Sequence, residues 1–230
     1  MKLRVKYKVT EEGRFLGHLD LTRTIMKILR RADLPVMLSE GFNPHPRLSF
    51  AMPLSVGHIG DGEFFEVVLK EEITEEEFIE IFNKFAPQAI EALEAREVKG
   101  NHKSMSSIIN SAIYILEFTD SNCTLLKKKA MDILAEKEIL ILKTSKKKTK
   151  EADIRPFIFD ILVNEAKDGE CILEVYIAHG SKENLKVQEL INIFSVEGIS
   201  IEKVSIKRKG LYVKKGSEYL DLMGVLTNVG

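Results

Sequence analysis

Residues 2–9 read KLRVKYKV, in which Leu3, Val5, Tyr7 and Val9 alternate with Lys2, Arg4, Lys6 and Lys8. Successive side chains of a strand point to opposite faces. Strict alternation therefore specifies a half-buried strand, apolar on one side and basic on the other. The residues that follow supply the cover such a strand needs. From His18 to Ala32, Leu21, Ile25, Ile28 and Leu29 recur at helical spacing, with Arg23, Lys27, Arg30 and Arg31 on the opposite face. DLP is expected to stop this helix, because a residue before proline is pushed out of the helical region. RLSFAMPL and GEFFEVVLK read as strands, with VMLS before them as an extra short strand or loop. ITEEEFIEIFNKFAP reads as a helix with Thr74 as N-cap, Glu77 three residues on and Pro87 beyond its end. AIEALEAREV follows as a last strand, although its residues also favour helix.

That order, β-α-β-β-α-β, is the split βαβ arrangement of a ferredoxin-like unit. After the polar stretch KGNHKSMSS the pattern restarts. SSIINSAIYILEF reads as a strand, and SNCTLLKKKAMDILAEK as a helix opened by Ser121 or Asn122. EILILKT reads as a strand and SKKKTKEADIRP as a basic loop. FIFDILVNEA and CILEVYIA read as a hairpin turning at Lys167, Asp168 and Gly169. KENLKVQELINIFS reads as a helix and ISIEKVSIKRKGLYV as a last strand. The expected class is α+β: two tandem ferredoxin-like (βαββαβ) units, with antiparallel sheets and helices packed on one face. The expected divisions are 1–100, 107–215 and a tail, 216–230. One continuous α+β domain is the other arrangement these elements allow.

Composition narrows the setting. The chain has 230 residues and a formal net charge of -1, so no global field draws it to nucleic acid or an anionic membrane. No apolar run approaches the roughly 18 residues of a membrane span, and MKLRVKYKVT lacks the apolar core of a signal peptide. Cys123 and Cys171 lie far apart in sequence, which suggests a reducing cytoplasm and free thiols rather than a disulfide scaffold.

EGFNPHPRLSF, residues 40–50, carries more chemistry than a connection needs. Pro44 and Pro46 fix their own φ and push Asn43 and His45 towards extended backbone. They also remove two ladder donors, so the segment is a preset loop rather than a central strand. Gly41 permits a sharp entry. His45 and Arg47 are in phase on the extended chain and are expected to face one way. In GHLD, Asp20 is expected to cap the helix beginning at LTR, with His18 beside it. If the long loop folds back over the sheet edge, His18, Asp20, Arg23, Asn43, His45 and Arg47 form one polar pocket. Arg and His suit a phosphate or other anion there. His18, Asp20 and His45 are the residues that would hold a divalent metal, and either His could serve as general base. The plain reading is a helix cap beside a rigid turn.

Elsewhere, residues 127–150 hold nine Lys against three acids. Residues 199–215 hold Lys203, Lys207, Arg208, Lys209, Lys214 and Lys215 against Glu202 alone. Lys146, Lys147, Lys148, Lys207, Arg208 and Lys209 are the candidate RNA contacts, through phosphates; solvated edge lysines are the simpler account. Asp153 and Arg155 in EADIRPF form a possible second site, or a surface ion pair.

The string FLGHLDLTRTIMKILRRADLPVMLSEGFNPHPRLSFAMPLSVG, with EADIRPF later, resembles the radical SAM-linked protein family. Its members are domains encoded beside a radical SAM enzyme or fused to its C-terminus. The resemblance is strongest over residues 1–100 and rests above all on GFNPHPR. Where many relatives read Ser-His-Leu-Asp, this chain has Gly17-His18-Leu19-Asp20, which removes a hydroxyl. The resemblance implies a partner, a radical SAM enzyme acting in trans, rather than a reaction. A radical SAM enzyme holds its 4Fe–4S cluster through three closely spaced thiolates, which Cys123 and Cys171 cannot supply. The expectation is a cytoplasmic, non-catalytic accessory or substrate-binding module with no cofactor of its own, in RNA or ribosome-related modification. The alternative is a stand-alone metal- or His-assisted enzyme acting on RNA or a phosphate ester.

Overall fold

The computed structural model describes residues 1–100, 102–145, 148–165 and 170–227. The chain is mixed α+β, with mostly antiparallel strands, and divides into two compact units. Met1–Ile109 and Arg208–Gly230 make the first; Asn110–Lys207 make the second.

The first unit opens with β1 (Lys2–Val9), α1 (His18–Arg31), β2 (Leu48–Phe50), β3 (Ile59–Val68), α2 (Glu75–Phe85), β4 (Ile90–Glu97) and a short α3 (Met105–Ile108). β1 lies between β3 and β4 and is antiparallel to both; β2 pairs β3 on its other side. The register sets Leu3 opposite Val67 and Val5 opposite Phe65. These side chains form one core with Leu21, Ile25, Ile28 and Leu29 of α1 and Phe78 and Phe82 of α2. Each such side chain contributes about 1.5–3 kcal/mol on burial. Both helices therefore cover the apolar face that the alternation of β1 requires. Thr74 caps α2 as expected, its Oγ1 accepting from the Glu77 N–H at 3.1 Å.

The second unit contains β5 (Ser111–Phe118), α4 (Cys123–Ala135), β6 (Leu140–Ser145), β7 (Lys148–Asp153), β8 (Ile158–Glu165), β9 (Cys171–Ala178) and α5 (Val187–Ile193). β9 pairs antiparallel with β5 and with β8, so the expected hairpin forms; its turn residues lie outside the described residues. The Asn122 side chain caps α4, accepting from the Leu125 N–H at 3.1 Å. SKKKTKEADIRP is not wholly a loop. Its residues 148–153 form β7 and pair with β6 in a separate two-stranded sheet.

Cys123 and Cys171 are joined in a disulfide with Cα atoms 5.5 Å apart, which corrects the expectation of free thiols. The reason is register. Phe118 pairs with Cys171 at the start of β9, and the chain turns from Phe118 into α4 within five residues. Forty-eight residues of sequence separation thus collapse into a separation a bridge can span.

The chain then runs through β10 (Val204–Lys215), β11 (Glu218–Asp221) and α6 (Leu222–Thr227). From Arg208 onward these residues belong to the first unit, where β10 borders β3 and β11 pairs β10. The segment covers part of the face of β1 that alternation marks as basic. Lys6 Nζ meets Asp221 at 3.1 Å, and Arg4 Nη1 donates to the Leu222 carbonyl at 2.6 Å. Arg4 is only 1% exposed, and Glu66 opposite it takes its Nε and Nη2 at 3.1 and 2.8 Å.

Candidate functional site

The GFNPHPR loop is built by its own backbone. Leu38 bridges Pro46, the Ser39 N–H donates to the His45 carbonyl at 2.8 Å, and the Arg47 N–H donates to the Met37 carbonyl at 2.8 Å. Two further bonds tie this ladder to the end of β3, from Met37 N to Val68 O at 2.8 Å and from Val68 N to Arg47 O at 3.1 Å. Gly41 enters the turn at φ +125°, a conformation that side chains rarely tolerate. Residues 44–47 then run extended, and their side chains alternate between two surfaces.

Pro44 and Pro46 face α1. With Met26, Leu34, Val36 and Leu38 they floor a groove of about 590 Å³, rimmed by Arg23, Lys27 and Arg30 and by the single acid Asp33. The arginine and lysine face of α1, amphipathic in sequence, thus overhangs an apolar trough. Phe42 at the tip of the loop is fully exposed.

His45 and Arg47 line the other surface, a cleft of about 350 Å³ shared with Lys2, Ser39, Ser49 and Glu66 and edged by Pro46. Ser49 pairs with Glu66, and Lys2 with Val68, so these residues belong to the sheet face away from the helices. His45 is fixed on three sides. Its N–H donates to Ser39 Oγ at 3.2 Å, and its Nδ1 lies 3.0 Å from the Asn43 carbonyl and 3.3 Å from Ser39 Oγ. Arg47 Nη1 touches only Met37 Sδ, at 3.2 Å, a weak acceptor. Lys2 Nζ reaches the second Glu66 oxygen at 2.5 Å.

The six expected pocket residues are therefore not one group. His45 and Arg47 meet, as their phase on the chain implies. Arg23 stands on the groove rim with the prolines. The exposed Asn43 acts through its carbonyl, as an acceptor for His45. The His18 ring lies edge-on to Phe50, 5.4 Å between centroids, on the helix side of the sheet. Asp20 is not the cap: Gly17 holds the N-cap position and Asp20 lies in the first turn, 3.4 Å from Arg23 in an exposed ion pair. The helix begins three residues earlier than LTR, which moves the cap to Gly17. Alternation explains the rest, since it turns the prolines towards α1 and His45 and Arg47 away from it. Among the described residues, no group of three His, Cys, Asp or Glu side chains is placed to hold a metal ion.

Asp153 and Arg155 hold backbone instead of a ligand. Asp153 Oδ1 accepts from Ile139 N at 2.8 Å and Arg155 N at 2.9 Å. The Arg155 guanidinium donates to the carbonyls of Leu134, Glu136 and Ile158, closing the C-terminal end of α4. Of the candidate RNA contacts, Lys146 and Lys147 lie outside the described residues. Lys148 opens β7, Lys207 is half-buried and Lys209 is exposed. Arg208 cannot meet a phosphate: it is 1% exposed and pairs with Glu63, also 1% exposed.

Sequence reasoning missed this buried group. Glu63 faces the same side as Tyr7, its partner in register. Burial raises the Tyr7 hydroxyl well above its ordinary range, and Glu63 adds to the rise while Arg208 opposes it. Burial, with Arg208 nearby, lowers the His58 imidazole below its ordinary value. The one available signal was the phase of Glu63, which shares a strand face with Phe65 and Val67 in GEFFEVV.

Residues 2–187 match the model of DUF2344, described as an uncharacterized protein conserved in bacteria, and the chain belongs to that family. No curated protein matches it. Among solved structures, a chain of a Cbf5-Nop10-Gar1 complex is 11% identical at a TM-score of 0.47; the match covers 96% of this chain and 54% of that one. The chain thus spans about half the length of that structure's chain.

Proposed function

We propose that this DUF2344 chain is a non-catalytic binding module that works in trans with a radical SAM enzyme, in the modification of RNA or of a ribosome-associated protein. The groove between α1 and the GFNPHPR loop is the surface it presents. The supporting observation is how that loop is built: its prolines, its glycine and its backbone bonds hold an apolar trough under the basic rim of Arg23, Lys27 and Arg30. A rigid concave surface with charge of one sign along its edge suits recognition of an acidic, partly apolar partner surface. The resemblance of GFNPHPR to the radical SAM-linked family names the partner. The two cysteines, joined to each other, fit a role beside the cluster enzyme rather than as one.

Co-purification with the radical SAM enzyme encoded nearby is the test. Binding at micromolar concentration is expected. Reversing the rim charge with Lys27→Glu and Arg30→Glu together should weaken it at least about tenfold, because like charges across an interface cost several kcal/mol. No association at micromolar concentration refutes the reading. Any RNA in the complex should be released steeply as salt rises; a salt-insensitive RNA shift removes that part of it.

A further inference from the structure

The cleft on the far side of the motif loop has a different chemistry from the groove. Arg47 is held at both backbone ends, by Met37 and Val68, while its guanidinium is exposed and has only a thioether beside it. Among the described residues no carboxylate pairs with it. The one carboxylate of the cleft, Glu66, is already answered by two cations, Arg4 on one oxygen and Lys2 on the other. The surplus positive charge therefore sits at Arg47, in a site whose backbone is fixed before any ligand arrives.

The donors around it differ in kind. Arg47 offers a planar fork, Lys2 an ammonium, Ser39 and Ser49 hydroxyls. His45 has its Nδ1 placed against the Asn43 carbonyl, which assigns the proton there and makes Nε2 an acceptor, suited to a hydroxyl of the ligand rather than to a bare phosphate oxygen. A carboxylate has two oxygens and is satisfied by the fork alone. Donors arriving from several directions suit a tetrahedral anion with three free oxygens. The volume of about 350 Å³ is near the lower end for ligand pockets and has room for a phosphate with the group that carries it.

We propose that this cleft is a subsite for the phosphate of a phosphate ester, gripped by Arg47 with Lys2, Ser39 and Ser49 around it. The inference does not depend on a radical SAM partner, and its test uses the full chain alone. The labelled protein is titrated with inorganic phosphate, with adenosine 5′-monophosphate, and with a short single-stranded oligoribonucleotide lacking terminal phosphates, following amide shifts. Shifts centred on residues 45–49 and 66–68 are expected. Arg47→Ala should weaken binding about tenfold or more, and Arg47→Lys, which keeps charge but loses the fork, by less. Arg23→Ala, on the groove rim, should leave it unchanged. Binding of the monophosphate in preference to the oligomer identifies a terminal phosphate monoester; the reverse preference, with the same loss in Arg47→Ala, identifies a backbone phosphodiester. No shifts at millimolar concentration of all three probes, or binding that Arg47→Ala leaves intact, overturns the proposal.

Discussion

Replacing Arg208 tests the buried pair on which this part of the first unit rests. Its Nε lies 2.7 Å and its Nη2 2.5 Å from the two Glu63 oxygens. It also donates to the carbonyls of Pro53 at 3.0 Å and Met52 at 3.1 Å. Arg208→Met keeps the apolar stem and removes every one of these bonds. Glu63 is then an unpaired carboxylate at 1% exposure beside the buried Tyr7. Breaking a buried pair from one side costs about 3–5 kcal/mol, so a loss of about 4 kcal/mol is expected. With a urea slope of about 2 kcal/mol per molar, the unfolding midpoint should fall by roughly 2 M. Amide signals of β1 and β3 report the unit concerned. Glu63→Leu combined with Arg208→Met removes both charges and should recover more than half the loss, leaving the two carbonyls as the residual cost. A loss below about 1 kcal/mol, or a double variant no more stable than the single one, refutes the reasoning.

Gly17→Ser should stabilise α1 by a few tenths of a kcal/mol, since Gly17 is the N-cap, its φ of -69° suits serine, and a Cβ there meets only Asp20 Oδ2, at 3.7 Å; an unchanged or lowered melting temperature contradicts this. Because burial lowers His58 below its ordinary value, the unfolded chain takes up the proton first as pH falls. Stability is thus lost from about pH 6.5 down to the lowered value, and His58→Gln should flatten that slope in urea midpoints measured across it. Reducing Cys123–Cys171 releases a loop of 48 residues and should cost the second unit up to about 4 kcal/mol, seen as a midpoint shift with dithiothreitol that Cys123→Ser abolishes.

Local pattern carried far into the fold. Alternation in KLRVKYKV placed β1, Thr74 with Glu77 placed the start of α2, and the hairpin of β8 and β9 followed from two strand-like runs. What local pattern could not carry was partnership at long range. Arg208 read as one more cation in SIKRKG, because the glutamate that buries it is 145 residues away. The same holds for Lys6 and Arg4, whose basic row reads as solvent-facing until Asp221 and Leu222 cover it. The motif loop lies between these cases. Its extended phase correctly joined His45 to Arg47, yet nothing local said which side would face α1. Apolar prolines turn to the helix because they can be desolvated there without loss, whereas Arg47 on that side would bury its charge against Met26 and Val36. The alternation of Pro44, His45, Pro46 and Arg47 therefore serves both surfaces at once. Shifting the phase by a single residue would take His45 and Arg47 out of the cleft and set a guanidinium in the apolar groove, and lose both.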